Sequence, residues 1–202
     1  MASSGVQLLG FLLCLIGLAA TIAATYMVEW KKHHEGNHGT HQTYEGLWMT
    51  CSGQSERMTC ELHESLLKLP AEIQVTRAVM LLSIFLSSVA LMVATVGMKC
   101  TRFLETKEQS KSIAAMAAGI MFMISGILTL AITSWYVRKI VQSFYGSHHL
   151  SRHEFGSAVF VSWAGAILTL TGGVFLSCRR CSRRGSSMTV PQLHAAQGAN
   201  YV

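Results

Sequence analysis

The chain has 202 residues, of which half are hydrophobic and only 13% are charged. Because a soluble domain usually carries about a quarter charged residues, this composition disfavours a soluble globular protein. The chain has only two prolines, which excludes a proline-rich disordered protein, and its net charge is +6. That charge by itself would suggest a nucleic-acid partner, but the placement of the hydrophobic residues indicates a membrane.

Four blocks of the chain contain no Asp, Glu, Lys, Arg or His: residues 6–28, 78–98, 113–137 and 155–178. A helix needs about 20 apolar residues to cross a bilayer core of about 30 Å, and each block is long enough. The blocks lack the alternating pattern of barrel strands. The sequence therefore predicts an all-α bundle of four transmembrane helices. A cleaved signal peptide is the alternative for the first block, but the block is too long and no Lys or Arg precedes it.

Charge predicts the orientation of these helices. Segment 99–112 and the tail 179–202 carry net charges of +2 and +4, whereas segments 29–77 and 138–154 carry −2 and +2. Lys and Arg next to a span stay in the cytoplasm. We therefore expect residues 1–5, segment 99–112 and the tail 179–202 to be cytoplasmic. Segments 29–77 and 138–154 would then be extracellular loops. Nucleic-acid binding by the tail is the weaker alternative to a contact with anionic lipid.

The cysteines follow these compartments. Cys51 and Cys60 lie in the first extracellular loop, where oxidation is possible. Strand-like sequence flanks both cysteines. A hairpin that turns at residues 52–56 would bring them together, so we expect a disulfide. The alternative is two reduced thiols. Three further cysteines lie at cytoplasmic helix ends, where they carry S-palmitoyl groups or remain plain thiols: Cys100, Cys178 and Cys181.

The predicted spans offer no residues for catalysis. A pump, transporter or intramembrane enzyme needs polar groups at membrane depth, and the four blocks contain no Asp, Glu, Lys, Arg or His. Small residues do recur seven positions apart on one face of three helices: Gly10 and Gly17, Gly119 and Gly126, and Gly165 and Gly172. Such faces let backbones approach, either within one bundle or between protomers. We expect a non-enzymatic scaffold whose function lies in its extracellular loops.

The first extracellular loop is too long for a simple connector. Residues 44–60 have the composition of two strands. Beyond them Leu62, Leu66 and Leu69 recur at near-helical spacing, and Pro70 fits the first turn of a helix that runs into the second span. We expect a hairpin and then a short amphipathic helix, whose apolar face contacts a neighbouring protomer or a small core.

Several residues of this loop resemble those of the claudin family. They are Trp30, then Gly46-Leu47-Trp48, then Cys51 and Cys60, and finally Arg77. Shorter claudin-like stretches are Val96-Gly97-Met98-Lys99-Cys100, Ser134-Trp135-Tyr136 and Glu154-Phe155-Gly156. The resemblance covers about residues 1–181 and the terminal Tyr201-Val202. It implies a left-handed four-helix bundle with a small extracellular β-sheet built from both loops.

The resemblance also implies a function at the tight junction of the plasma membrane. Claudins polymerise within one membrane and adhere to those of the next cell, so the partners would be claudin-like protomers in cis and in trans. The resulting strands form a paracellular barrier or an ion-selective pore, and no cofactor is involved. A regulatory tetraspan that does not polymerise, and that modulates another channel or membrane adhesion, is the alternative.

The family pattern assigns roles to individual positions. Those that would anchor the sheet to the bundle are Trp30, Gly46, Leu47 and Trp48. Arg77 would close the top of the bundle, and Phe144 and Tyr145 would lie in the adhesive tip of the second loop. The free carboxylate of Tyr201-Val202 suits the groove of a PDZ domain in a cytoplasmic junction scaffold.

Selectivity in such a pore follows from the charges that line it. Family pore charges commonly follow the second loop cysteine, where this chain has Glu61. A carboxylate at that position would attract cations, whereas the alternative is a solvated Glu in a Glu-rich loop. Gln54, between the two cysteines, is the weaker candidate.

Segment 31–43 departs from the family pattern. It lacks the aliphatic alternation expected of a strand, which predicts an impaired sheet edge and keeps the regulatory alternative open. Four of its residues are candidates for pH sensing, because histidine titrates near 6.5: His33, His34, His38 and His41. A zinc site formed by the last three is the weaker alternative, since their spacing lies on no defined scaffold, and a solvated polar loop is the third.

Overall fold

The computed structural model describes residues 2–35, 41–54, 57–63, 69–97, 108–146 and 152–186. Within this part of the chain lie four helices: α1 (Ala2–Tyr26), α2 (Ala71–Gly97), α3 (Glu108–Gly146) and α4 (Ser157–Ser186). All four are long and apolar enough to cross a membrane. The prediction of four membrane-spanning helices is therefore confirmed.

The helices α2, α3 and α4 extend well beyond the apolar blocks from which they were predicted, and α3 extends the furthest. Its block covers residues 113–137, whereas the helix begins at Glu108 and ends at Gly146. Hydrogen bonds between backbone groups propagate a helix whatever the polarity of its side chains, so Arg138 and Lys139 continue it. The first part of segment 138–154, the predicted second extracellular loop, is therefore helical.

Glycines set the spacing of α4 against its two neighbours. A Cβ on Gly17 of α1 would lie 2.8 Å from the carbonyl oxygen of Gly165 in α4. A Cβ on Gly119 of α3 would lie 2.8 Å from the carbonyl oxygen of Gly173. Only glycine permits this approach of two backbones. These small-residue faces therefore pack within one bundle, which decides against the alternative that they join two protomers.

Hydroxyl groups fasten α2 to α3 in the interior of the bundle. Ser83 Oγ lies 2.8 Å from Ser125 Oγ and 2.6 Å from Thr129 Oγ1. Ser87 Oγ lies 2.5 Å from Ser125 Oγ, and all four residues are buried. Because lipid offers no hydrogen-bond partner, these polar groups satisfy one another.

An antiparallel sheet of five strands lies at one end of the bundle. The strands are β1 (Lys31–Glu35), β2 (His41–Glu45), β3 (Met49–Gln54), β4 (Arg57–Leu62) and β5 (Arg152–Phe155), in the order β4-β3-β2-β1-β5. The first four belong to the first predicted loop, and β5 belongs to the second. Lys31 of β1 pairs with Phe155 of β5. The small sheet that the resemblance implied, built from both loops, is therefore present.

The expectation of an impaired edge in the histidine-rich segment is wrong. Residues 31–35 form β1, which lies inside the sheet between β2 and β5, and residues 41–45 form β2. A strand paired on both sides has a backbone ladder along each of its edges, so an aliphatic face is not required to hold it. Of this segment, residues 36–40, which include His38, lie outside the described residues.

The predicted disulfide hairpin is confirmed. Cys51 of β3 lies opposite Cys60 of β4, and the two are joined as a disulfide. Gln54 pairs with Arg57, so residues 55 and 56 connect the strands and the turn is shorter than the predicted 52–56. All six residues of β4 are exposed, because this strand forms one edge of the sheet.

The second span begins directly after Pro70, as its position predicted. The carbonyl oxygen of Pro70 accepts hydrogen bonds from the backbone N–H groups of Ile73, at 3.0 Å, and Gln74, at 3.3 Å. Proline has no N–H to lose at the start of a helix, so it is well tolerated there. The predicted amphipathic helix before it falls largely on residues 64–68, outside the described part.

Candidate functional site

Trp30 lies where the sheet meets the bundle. Its side chain is fully buried, and its Nε1 donates a hydrogen bond of 2.9 Å to the carbonyl oxygen of Ala24, near the end of α1. The ring packs edge-on against Tyr136 of α3, with 5.5 Å between the ring centroids. Its backbone N–H also donates to the carbonyl oxygen of Glu45, at the end of β2. Trp30 therefore contacts two helices and the sheet at once.

The Gly46-Leu47-Trp48 turn fits against the end of α1. A Cβ on Gly46 would lie 2.7 Å from the Cα of Val28, so the backbone approach requires glycine. Leu47 is fully buried, and the ring of Trp48 stacks on Tyr26 with 6.5 Å between centroids. The turn thereby fixes the sheet to the first helix.

Arg77 ties the second helix to the same turn. Its side chain is buried, and its Nε donates a hydrogen bond to the carbonyl oxygen of Leu47. The guanidinium group lies over the ring of Trp48, at 4.8 Å from the centroid. Cations are attracted to the face of an indole ring. The structure thus brings together the five positions that the family pattern singled out: Trp30, Gly46, Leu47, Trp48 and Arg77.

A polar contact that the sequence did not predict joins the two loops at the start of α4. We call its residues, Glu29, Lys32 and Ser157, the Glu29 latch. Ser157 Oγ donates a hydrogen bond of 2.6 Å to the carboxylate of Glu29, and Lys32 Nζ lies 3.3 Å from the same oxygen. The backbone N–H of Ala158 donates to the carbonyl oxygen of Glu29, and that of Gly156 donates to the carbonyl oxygen of Trp30. The Ser157 hydrogen bond, and secondarily Lys32, lower the pKa of Glu29 below its usual value, so the latch is charged at neutral pH.

The sequence carries one signal for this contact. Ser157 directly precedes the apolar run of α4, and serine at such a position marks the start of a helix. A carboxylate near a helix N-terminus is favoured by the helix dipole. Nothing in the local sequence identifies Glu29 as its partner, because the two residues are 128 positions apart.

One row across the sheet carries three charged side chains. Lys31 lies opposite Glu45, Glu45 opposite Thr50, and Thr50 opposite Glu61. Directly opposed residues of antiparallel strands share one face of the sheet. Lys31 Nζ lies 3.5 Å from Glu45 Oε2, whereas Glu61 is exposed and has no ion pair with the described side chains. We call Lys31, Glu45, Thr50 and Glu61 the charged row.

The histidines distribute over both faces of the sheet. His33 lies opposite Thr43 and His153, whereas the adjacent His34 lies opposite Gln42 and Arg152. No group of three side chains able to hold a metal ion occurs among the described residues.

Several predicted positions fall on parts that the structure describes incompletely. The backbones of Phe144 and Tyr145 lie in the last turns of α3, and those of Cys178 and Cys181 lie in α4. Gln54 is the last residue of β3, and His34 and His41 lie in β1 and β2. The side chains of these seven residues are outside the described part, as are Cys100, Tyr201 and Val202 altogether.

Comparison with known proteins places the whole chain in one family. A model of the PMP-22/EMP/MP20/Claudin family matches residues 4–176. Claudin-1 of Mus musculus is 43% identical, with complete coverage of both chains. Claudin-7 of Homo sapiens is 42% identical over 88% of this chain and 87% of its own length, and Claudin-19 of Mus musculus is 39% identical over 95% and 88%. The chain therefore belongs to the PMP-22/EMP/MP20/Claudin family, in which it is similar to claudins over its whole length.

Proposed function

We propose that this protein polymerises in the plasma membrane and adheres between cells, where it forms a tight-junction barrier or an ion-selective paracellular pore. The single observation that carries this function is the sheet built from both loops and hydrogen-bonded to α1, α2 and α4 through Trp30, Arg77 and the Glu29 latch. A rigid polar sheet, held in place this way, can meet the sheets of other protomers. Likeness to claudins over the full chain supports the same function.

The interior of the bundle is unsuited to ion passage. Arg77 is the one charged residue that is buried in the described part, and it contacts the sheet-end turn. The hydroxyl groups between α2 and α3 bond to one another, and among the described residues no buried Asp, Glu, Lys or His accompanies them. The ion path therefore runs along the sheet, between molecules.

The sheet faces the extracellular space and both termini are cytoplasmic. The basic segment 99–112 and the basic tail 179–202 support this orientation. The Cys51–Cys60 disulfide supports it independently, because disulfides persist in oxidising compartments and are rare in the cytosol.

Glu61 gives the pore its preference for cations. It is exposed on the edge strand β4, and no described cation neutralises it. A carboxylate in a narrow aqueous path raises the local concentration of cations and lowers that of anions. Gln54 contributes no charge and is the weaker candidate for selectivity.

The remaining predicted positions serve attachment and regulation. Phe144 and Tyr145 contact the opposite cell, and Tyr201-Val202 binds PDZ scaffolds of the junction. Palmitoylation of Cys100, Cys178 or Cys181 anchors the cytoplasmic helix ends in lipid. Protonation of the β1 and β2 histidines at acidic pH adds positive charge to the sheet and opposes cations.

Expression in cells that lack tight junctions tests the function. We expect intramembrane strands at cell contacts in freeze-fracture images, and in epithelial monolayers we expect dilution potentials that report a permeability ratio of sodium to chloride above one. Glu61→Gln should leave the strands in place and lower that ratio. Absence of strands from contacts that contain the protein would instead indicate a regulatory tetraspan, and an unchanged ratio would remove Glu61 from the path.

A further inference from the structure

The charged row contains an acidic group whose charge is masked. Glu45 lies two strands from Glu61 on the same face, a separation of roughly 9.5 Å at the usual strand spacing. Its carboxylate lies 3.5 Å from the ammonium group of Lys31, and both side chains are partly exposed to solvent. The pair contributes no net charge to a row that otherwise carries only the carboxylate of Glu61.

We propose that Lys31 is a specificity-determining residue, which lowers the cation selectivity of the pore by neutralising Glu45. This inference rests on the proposed paracellular path along the sheet. An ion near Glu61 lies slightly more than one Debye length of about 8 Å from Glu45 at physiological salt, so screening reduces the potential of Glu45 there to about a third without removing it. Removal of Lys31 exposes a second carboxylate to the same path. Lys31 thereby sets how strongly the row prefers cations, without contact with Glu61.

The adjacent Lys32 provides a control for the loss of one positive charge, and because it also contacts the Glu29 carboxylate of the latch, its variant is compared only where junctional strands still form. It is also a lysine of β1 and also has a carboxylate partner, Glu29, at 3.3 Å. Its register partners are Tyr44 and Glu154, so it lies on the other face of the sheet from the charged row. Substitution of either lysine removes one positive charge from the protein, but only one of them belongs to the row.

Dilution potentials across epithelial monolayers that express full-length variants test the proposal. Lys31→Gln should raise the sodium-to-chloride permeability ratio by about twofold or more, because one added charge near 10 Å favours cations and disfavours anions together. Lys31→Gln with Glu45→Gln should return the ratio to the wild-type value, since the row regains its original net charge. Lys32→Gln should change the ratio less than Lys31→Gln does.

The charge-swapped pair, Lys31→Glu with Glu45→Lys, guards against a folding artefact. It keeps an ion pair at the same place in the sheet and should give a ratio well below that of Lys31→Gln, close to or slightly under the wild-type value because the positive end of the pair then lies nearer Glu61. A ratio that Lys31→Gln leaves unchanged while Glu61→Gln lowers it would overturn this inference alone. An equal rise for Lys31→Gln and Lys32→Gln would do the same, because it would indicate an effect of overall charge. Strands that conduct without any selectivity would overturn both this inference and the selectivity proposed for Glu61.

Discussion

At the scale of single residues, Trp30 supplies a hydrogen-bond donor that the end of α1 lacks. The last carbonyl groups of a helix have no partner within the helix, and these lie where the chain leaves the membrane. The Nε1 of Trp30 donates to one of them, the carbonyl oxygen of Ala24, while the ring fills the space beside Tyr136. One side chain therefore satisfies a buried polar group and fills the junction between sheet and bundle.

We predict that Trp30→Phe destabilises the protein by about 2–3 kcal/mol, because it leaves a buried carbonyl group without its donor and removes part of the packing. Calorimetric unfolding of the purified protein in detergent should measure this loss. Trp163→Phe is the matched control, because Trp163 Nε1 is buried without a hydrogen-bond partner in the described part of the chain. Trp163→Phe should lower the free energy of unfolding by clearly less than Trp30→Phe does. Equal losses for the two variants would show that the Trp30 hydrogen bond contributes nothing to stability.

Residues that depend on a distant partner mark the limit of sequence-based inference. The motif from Trp30 to Arg77 was predictable because the order of its residues resembles the claudin pattern. The Glu29 latch was missed because glutamate and serine are common, and only the folded chain brings Glu29 to Ser157. The Lys31–Glu45 ion pair could not be predicted from the sequence for the same reason, since it depends on strand register and not on spacing along the chain.

At the scale of elements, the helices were predictable and the polar strands were not. Transfer of about 20 apolar residues into lipid decides a span by composition alone, so all four appeared in the sequence. β1 and β2 contain Lys, His and Glu in place of an alternating apolar face, and their stability comes from pairing with strands on either side. The end of α3 was missed because polar residues continue a helix once it has started.

The contact between α1 and α4 yields a prediction at this scale. Gly17→Leu places a Cβ against Thr169 Oγ1 and 2.8 Å from the carbonyl oxygen of Gly165, so the two helices must separate. We expect a loss of about 3 kcal/mol or more, with less protein at the cell surface. Unfolding in detergent and surface biotinylation measure the two effects.

Gly5→Leu controls for the added side chain. It changes the same helix in the same way, but a Cβ on Gly5 has no heavy atom within 4 Å. Its stability and surface level should match those of the wild type. If Gly17→Leu also matches the wild type, the glycine faces do not set the spacing of the bundle.

For the whole molecule, the bundle and the sheet have separate sources of stability. The helices are held by glycine contacts and hydroxyl pairs inside the membrane. The edge strand β4 is exposed along its full length and pairs with β3 alone, so it relies on the Cys51–Cys60 bond. Loss of that bond should release part of the sheet while the four helices stay folded.

The double variant Cys51→Ser with Cys60→Ser should therefore keep the helical circular dichroism of the wild type and lose junctional strands and adhesion. The bond closes a short loop, for which the chain-entropy estimate is about 2–3 kcal/mol, and this loss falls on the sheet. A membrane-impermeant reductant added to intact cells should reproduce the defect in the wild-type protein, because the sheet faces outwards. The double variant should not respond to the reductant. A wild-type response only after the cells are permeabilised would place the sheet in the cytosol and contradict the proposed orientation.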